Sequence, residues 1–448
     1  MNSKQSGRRR LLKGSVALVG GLAVGALRPA AGQETTRVDV IRPTGVRPEG
    51  EVSRFVKSVR RGTATNGLTP LQDSKGIITP SRLHFYVNHE AGILPDIDPA
   101  KHRLMIFGMV DRPLVLTMEE LMRLPSVSRL HFLECNANSN EAAVAGENKT
   151  VQDTHGLTSC SEWTGVLLSL LLKEAGVQKG ASWVIAESAD TAAHASSIPL
   201  EKAMEDSLVA YFQNGEPMRV ENGFPLRLIV PGYGGRAHVK WVKGLKVVDQ
   251  PYMTTQDRSS HMDHTPAGEG AFLLTSDLAR RYHVEMYAKA VITFPSPGHR
   301  LPGPGFYEII GLAWSGGGAI RKVEVSTDGG RTWKDAQIQE PIHRRAHTRF
   351  HFPWTWNGEE AVLESRCTDE NGDVQPAVAE VNKNWGTDQS SACRDVLGDN
   401  CNLIPRRANR SYIQPWRVAR DGTLHNAFVP GQHPADIRGV SAGTGIHH

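Results

Sequence analysis

Leu130-His131-Phe132-Leu133-Glu134-Cys135-Asn136-Ala137-Asn138-Ser139-Asn140 decides how this chain is read. An apolar run that fits a β-strand ends at Cys135, and small polar residues follow it into a loop. A cysteine at the mouth of such a loop has two readings. Most thiols of this kind are buried and inert. As a thiolate, the same side chain is a soft ligand suited to a high-valent metal.

Around this stretch, Ser81 to Tyr252 mixes helix and strand signals. Thr117-Met118-Glu119-Glu120 predicts a capping box opening a short helix that Pro125 stops. Val166, Leu167, Leu170, Leu171 and Glu174-Ala175 keep helical spacing, with Gly176 as C-cap. Leu226 to Val230 reads as a strand ending at Pro231-Gly232. After about Gln256 the period becomes two. Val323 and Val325 alternate before the Asp328-Gly329-Gly330 turn, Phe350, Phe352, Trp354 and Trp356 alternate, and Ala361 to Cys367 is a further strand. The pattern predicts an α+β domain followed by an immunoglobulin-like β-sandwich.

At about 150 residues per domain, a chain of 448 residues predicts two to three domains. With 39% hydrophobic and 22% charged residues it is a globular composition. Its 51 Lys and Arg against 47 Asp and Glu, a net +4, give no electrostatic case for nucleic-acid binding. Arg8-Arg9-Arg10 followed by apolar Gly14 to Leu27 and small residues near Ala30-Ala31-Gly32 reads as a twin-arginine export signal over residues 1–32. That run is shorter than the ~20 residues that span a bilayer, so a soluble periplasmic protein is expected. Residues 33–80 read as an extended arm, 81–255 as the first folded domain, and 256–440 as the sandwich with a C-terminal extension. Five scattered cysteines make no disulfide scaffold, although Cys393 and Cys401 share one polar loop and could pair in an oxidising periplasm, a geometry that spacing alone does not give.

Several common motifs are absent: GxSxG, HExxH and the Walker loop. Gly232 to Ala237 formally fits GxGxxA, but Val239-Lys240-Trp241 reads as a return strand and not as the helix a pyrophosphate needs. No CxxC or CxxCH occurs, which leaves no zinc ribbon and no covalent haem on this chain, and no flavin fingerprint is present.

Glu134-Cys135-Asn136-Ala137-Asn138 resembles the Cys-Ala/Ser-Gly-Asn signature of the sulfite oxidase family. Further pieces follow in that family's order. They are Phe85-Tyr86-Val87-Asn88-His89, Trp163-Thr164-Gly165-Val166 (similar to a helix start), Ser197-Ile198-Pro199, Asn222 to Arg227 and Gly235 to Trp241. Ala313 to Gly318 and Ser326 to Trp333 resemble its dimerisation domain. The resemblance spans roughly Arg82 to Cys367 and rests on order and spacing together.

The resemblance implies Mo-molybdopterin as cofactor, Cys135 as metal ligand, and Asn88, His89, Asp190, Asn222, Arg227, His238, Val239 and Lys240 as cofactor-binding positions. His194 falls where the family has its active-site Tyr, which implies a role in orienting substrate or moving a proton. Asn222 stands where the family often has His, and Arg236-Ala237 where it has Ala-Arg. Val87 and Asn140 replace two arginines of animal-type sulfite oxidases, which points to a substrate less charged than sulfite unless another arginine such as Arg349 compensates. Thr154 to Trp163, Ile413 to Ala419 and Leu424 to Asn426 look most like the branch typified by SoxC, the molybdenum subunit of sulfane dehydrogenase. That branch implies a SoxYZ-like sulfur carrier as substrate, a SoxD-like c-type cytochrome subunit as electron acceptor, and a homodimer through the sandwich. A sulfite:cytochrome c dehydrogenase is the alternative, and a cofactor-free binding protein on the same fold is a remote one.

Overall fold

The computed structural model describes residue 53 and residues 55–88, 93–139, 147–252, 285–380 and 411–428, with the backbone of short strands at 263–264, 273–274 and 279–281. The export signal, the first part of the arm (33–52), His89, Asn140, Cys393, Cys401 and the Asp388–Arg410 loop lie outside these residues. Met1–Val56 and Lys57–His448 form separate units, and every feature below lies in the second.

The first domain holds two five-stranded sheets. One is antiparallel and runs Glu216–Pro217, Leu208–Gln213, Thr158–Leu167, Val127–Glu134, with Arg227–Ile229 also paired to Leu208–Gln213. The other runs Leu114–Thr117, Arg103–Gly108, Val242–Val248, Trp183–Ser188, Ala195–Pro199, and only Arg103–Gly108 with Val242–Val248 is parallel. A core joining Leu104, Ile106, Leu171, Val184, Leu228 and Val242 packs them together.

Local chemistry explains the short helices. The Thr117 side chain accepts from the Glu120 N–H while the Glu120 carboxylate accepts from the Thr117 N–H, so the expected capping box starts helix Met118–Met122. A second box, Thr150 with Asp153, starts Val151–His155. The third helix begins at Leu168, later than its spacing predicts, and ends at Gly176, whose φ is 71°. Val166 and Leu167 are strand residues, paired with Val209 and Leu208. The Trp163–Val166 piece therefore ends a strand and does not open a helix.

The second domain is a sandwich of two antiparallel sheets. Lys289–Phe294, Gly305–Trp314, Thr348–Trp356 and Gln337–Ile338 form one, and Lys334–Asp335, Ile320–Ser326, Ala361–Asp369, Trp416–Val418 and Leu424–Asn426 the other. Phe350, Phe352, Trp354 and Trp356 point inward as their alternation predicts, while Pro353 and Thr355 face solvent. Gly311 lies opposite Phe350. A Cβ there would sit 2.1 Å from the Phe350 ring, so the pair requires glycine. Phe132, Val151 and Cys160 of the first domain and Leu71 of the preceding segment belong to the sandwich's core. The two domains thus share buried apolar surface.

Candidate active site

Strand Val127–Glu134 delivers Cys135 to the wall of an open cleft. The Cys135 N–H donates to Leu157 O at 3.0 Å, and its carbonyl accepts from the Asn138 N–H at 2.9 Å, which folds the loop back on itself. The turn Gly235–Ala237 lies against this loop. A Cβ on Gly234 would come within 2.1 Å of Asn136 Oδ1, so a larger residue there would have to displace the Asn136 amide. Only the single 3-10 turn Gly235–Ala237 follows the glycines, not an α-helix, and Lys240 bridges back to Arg227, in keeping with the return strand read from the sequence.

The cleft gathers Cys135, Asp190, His194, Arg227, His238 and Lys240 from four separate segments. Phe85, Tyr86, Val87 and Trp241 add apolar wall, and Ser188, Glu221 and Arg236 add polar groups the sequence had not singled out as site residues. Asp190 and His194 sit in the turn between strands Trp183–Ser188 and Ala195–Pro199. The Asp190 N–H donates to Ser188 Oγ at 3.1 Å, and Asp190 Oδ1 accepts from the His194 N–H at 3.1 Å. His194 Nε2 lies 3.2 Å from the Arg236 carbonyl.

Three predicted residues stand behind the wall. Asn88 Oδ1 accepts from Lys240 Nζ at 2.6 Å and so positions that cation. Asn222 donates to Gln213 Oε1 and receives Arg227 Nη1 on its carbonyl at 2.9 Å. Val239 is apolar core. His238 reaches the cleft, but Nδ1 accepts from the Val230 N–H at 3.1 Å and Nε2 is 3.0 Å from Tyr233 O. Both ring nitrogens are therefore engaged, and burial beside Arg227 pushes its pKa down to about 3. Arg349 supplies no charge here: its guanidinium holds Gly76 O at 2.6 Å.

The electrostatics favour an anionic ligand. Burial, then the Arg227 charge, bring Lys240 down to about 7, against smaller upward pulls from Asp190 and Glu221. Burial alone brings Arg227 to about 9. Arg227 Nε and Asn136 Oδ1 are buried with no hydrogen-bond partner among the described residues. Two desolvated cations and the unpartnered Arg227 Nε donor in one cleft fit an anionic group such as a pterin phosphate, whereas the Asn136 oxygen would need a donor. The cysteines separate as well. Burial drives Cys160 up to about 12 and Cys367 far above its ordinary value. Cys135 is raised too, mainly by burial and with Glu134 adding, while the Ala137 N–H and Lys289 oppose. Only Cys135 among these three lines the cleft, and its lone sulfur suits a metal whose remaining ligands come from a cofactor.

A sulfate titration checks this. Lys240 has its pKa lowered on folding, so the folded chain binds fewer protons there than the unfolded chain between about pH 7 and 10.5. Its burden on stability is full below that window and is relieved as pH rises through it. An anion in the cleft reverses the shift. Sulfate binding to cofactor-free protein is expected to take up protons at pH 8 and to weaken by up to about tenfold per pH unit above 7. Calorimetry in two buffers of different ionisation enthalpy reads this, and pH-independent binding without proton uptake would contradict it.

Comparison with known proteins agrees with this geometry. Residues 91–256 match the oxidoreductase molybdopterin binding domain and residues 280–386 the Mo-co oxidoreductase dimerisation domain. Mitochondrial sulfite oxidase of Mus musculus is 31% identical over 328 residues, 68% of this chain and 58% of that protein. NADH nitrate reductase of Volvox carteri is 30% identical over 414 residues, 81% of this chain and 42% of that protein. The chain thus spans about half the length of these curated relatives. The crystal structure of the sulfane dehydrogenase SoxCD from Paracoccus pantotrophus matches with a TM-score of 0.76 and 34% identity, over 87% of this chain and 95% of that one. With a molybdopterin-binding domain, the dimerisation domain that follows it and a cysteine lining a cleft that also holds cations, the chain belongs to the sulfite oxidase family of molybdopterin oxidoreductases.

Proposed function

We propose that this protein is the molybdenum subunit of an exported sulfane dehydrogenase, oxidising sulfane sulfur carried on a SoxYZ-like protein and passing electrons to a SoxD-like c-type cytochrome subunit. The observation that carries the proposal is Cys135 opening into a cleft that also holds the buried cations Arg227 and Lys240. Cys135 would hold the metal, and Arg227 and Lys240 would hold the pterin phosphate, with Asn88 and Asn222 fixing those cations. Asp190 and the Ser188 hydroxyl keep the His194 turn in shape, so that His194 can orient substrate or move a proton at its ring. When bound, the cofactor supplies oxygen transfer to sulfur and a two-electron redox change.

Substrate choice follows from charge. Sulfite is a small hydrated dianion, and a pocket for it needs fixed cations to replace lost water. Val87 lines the cleft where animal-type sulfite oxidases carry arginine, and Arg349 is committed to Gly76. A persulfide tethered to a carrier suits such a wall better. The similarity to SoxCD supports the same choice. Export by the twin-arginine signal and a homodimer through the sandwich complete the proposal.

Cytochrome c reduction by molybdenum-loaded protein under a sulfite titration tests the substrate. Little or no reduction is expected. Strong turnover at micromolar sulfite would instead establish a sulfite:cytochrome c dehydrogenase.

A further inference from the structure

Beside the cleft lies a buried ion pair that joins the two domains. Glu134 and Lys289 are both fully buried, and Lys289 Nζ donates to Glu134 Oε1 at 2.5 Å. Glu134 immediately precedes Cys135, whereas Lys289 opens the first long strand of the sandwich. The carboxylate takes two more hydrogen bonds. Asn138 Nδ2 donates to Oε1 at 2.8 Å, and Trp314 Nε1 of the sandwich donates to Oε2 at 2.8 Å. Lys289 also donates to Ser139 Oγ at 3.2 Å. Asn138 in turn accepts the Leu157 N–H on Oδ1 at 3.1 Å and donates its own N–H to the Cys135 carbonyl.

The loop that presents Cys135 is therefore gripped at Glu134, Asn138 and Ser139, and two of the gripping side chains come from the second domain. A buried ion pair is poor evidence of added stability, because desolvation offsets its attraction. It is good at fixing geometry, since each partner is costly to move or unpair. We propose that Glu134 and Lys289, with Trp314, are positioning residues. Through them the second domain sets the direction and exposure of the Cys135 sulfur, so that metal geometry depends on the domains being docked. The part concerning the metal rests on Cys135 being its ligand, whereas the part concerning the loop does not.

The test uses three full-length variants. Trp314→Phe removes one donor and keeps the ion pair and most of the aromatic volume. The double variant Glu134→Gln with Lys289→Met removes both charges together, and Lys289→Arg keeps the cation. In cofactor-free protein, alkylation of Cys135 by iodoacetamide, followed by peptide mass mapping, is expected to be at least about tenfold faster in Trp314→Phe and in the double variant. Lys289→Arg should recover much of the protection. In loaded protein, the Mo(V) spectrum should shift in Trp314→Phe with molybdenum content retained, and kcat should fall while KM stays near its original value. Wild-type labelling rates in folded Trp314→Phe would overturn the positioning of the loop, whatever the double variant does. Altered labelling with an unchanged Mo(V) spectrum would overturn its transmission to the metal. If wild-type protein held no molybdenum, the functional proposal would fail while the labelling result still decided the loop.

Discussion

Lys289→Met is expected to destabilise the protein by about 3–5 kcal/mol, the usual result of removing one partner from a buried ion pair. The substitution strips the cation from a fully buried carboxylate, and Glu134 cannot reach water from where it stands. Asn138 and Trp314 still donate to it, but neither carries charge. Two escapes remain, and both are costly. Glu134 can take up a proton, which disturbs the acceptor roles of both its oxygens, or the domain contact can open and expose the shared core of Phe132, Cys160 and Trp314. Adding Glu134→Gln to Lys289→Met removes the stranded charge and is expected to recover most of the loss. Urea unfolding of the three proteins measures this. A Lys289→Met protein as stable as wild type would show that the pair is not isolated from solvent.

Cys135→Ser is expected to lower turnover by more than about 100-fold, beyond what losing a supporting partner of a metal ligand costs. Serine is nearly the same size, and the Leu157 and Asn138 backbone bonds that fold the loop do not involve the side chain. The fold should therefore persist. What changes is the donor. A thiolate is soft and anionic, whereas a serine hydroxyl remains protonated in a site that already disfavours charge by burial. Pterin should still bind through the Arg227 and Lys240 cations while molybdenum binds more weakly. Metal analysis and turnover together check this, and unchanged activity with unchanged molybdenum would remove Cys135 from the site.

These two residues show what a linear reading reaches. Cys135 was legible because an apolar strand runs straight into it and a short signature surrounds it. Arg227, Asp190, His194 and Lys240 were legible through the order of the family's pieces, and the fold brings all four to the same cleft as Cys135. Lys289 was not. It lies 155 residues from Glu134, and in sequence it is one lysine before an apolar run. A charge that closes a domain interface has no local period to announce it. Glu134 itself left a faint signal, as a carboxylate at the inner end of a strand whose neighbours are apolar.

The misplaced details have local causes. Val166 and Leu167 keep helical spacing with the residues that follow, yet their backbone groups are claimed by pairing with Leu208 and Val209. Tertiary pairing overrides a short periodicity. Arg349 was a reasonable source of charge for the cleft, but the carbonyl of Gly76 binds it elsewhere. By contrast, the alternation of Phe350 to Trp356 was read correctly because a strand with one buried face repeats every two residues over its whole length.

The most direct test of the central claim is EPR of molybdenum-loaded protein after one equivalent of a carrier protein bearing a cysteine persulfide, with oxidised cytochrome c present as one-electron acceptor and sulfite in a parallel tube. A Mo(V) signal is expected from the persulfide carrier, lost in Cys135→Ser, with little or none from micromolar sulfite. A signal from sulfite alone would contradict the sulfane assignment. No signal from either donor in protein confirmed to hold molybdenum would contradict the oxidation of sulfur at this site.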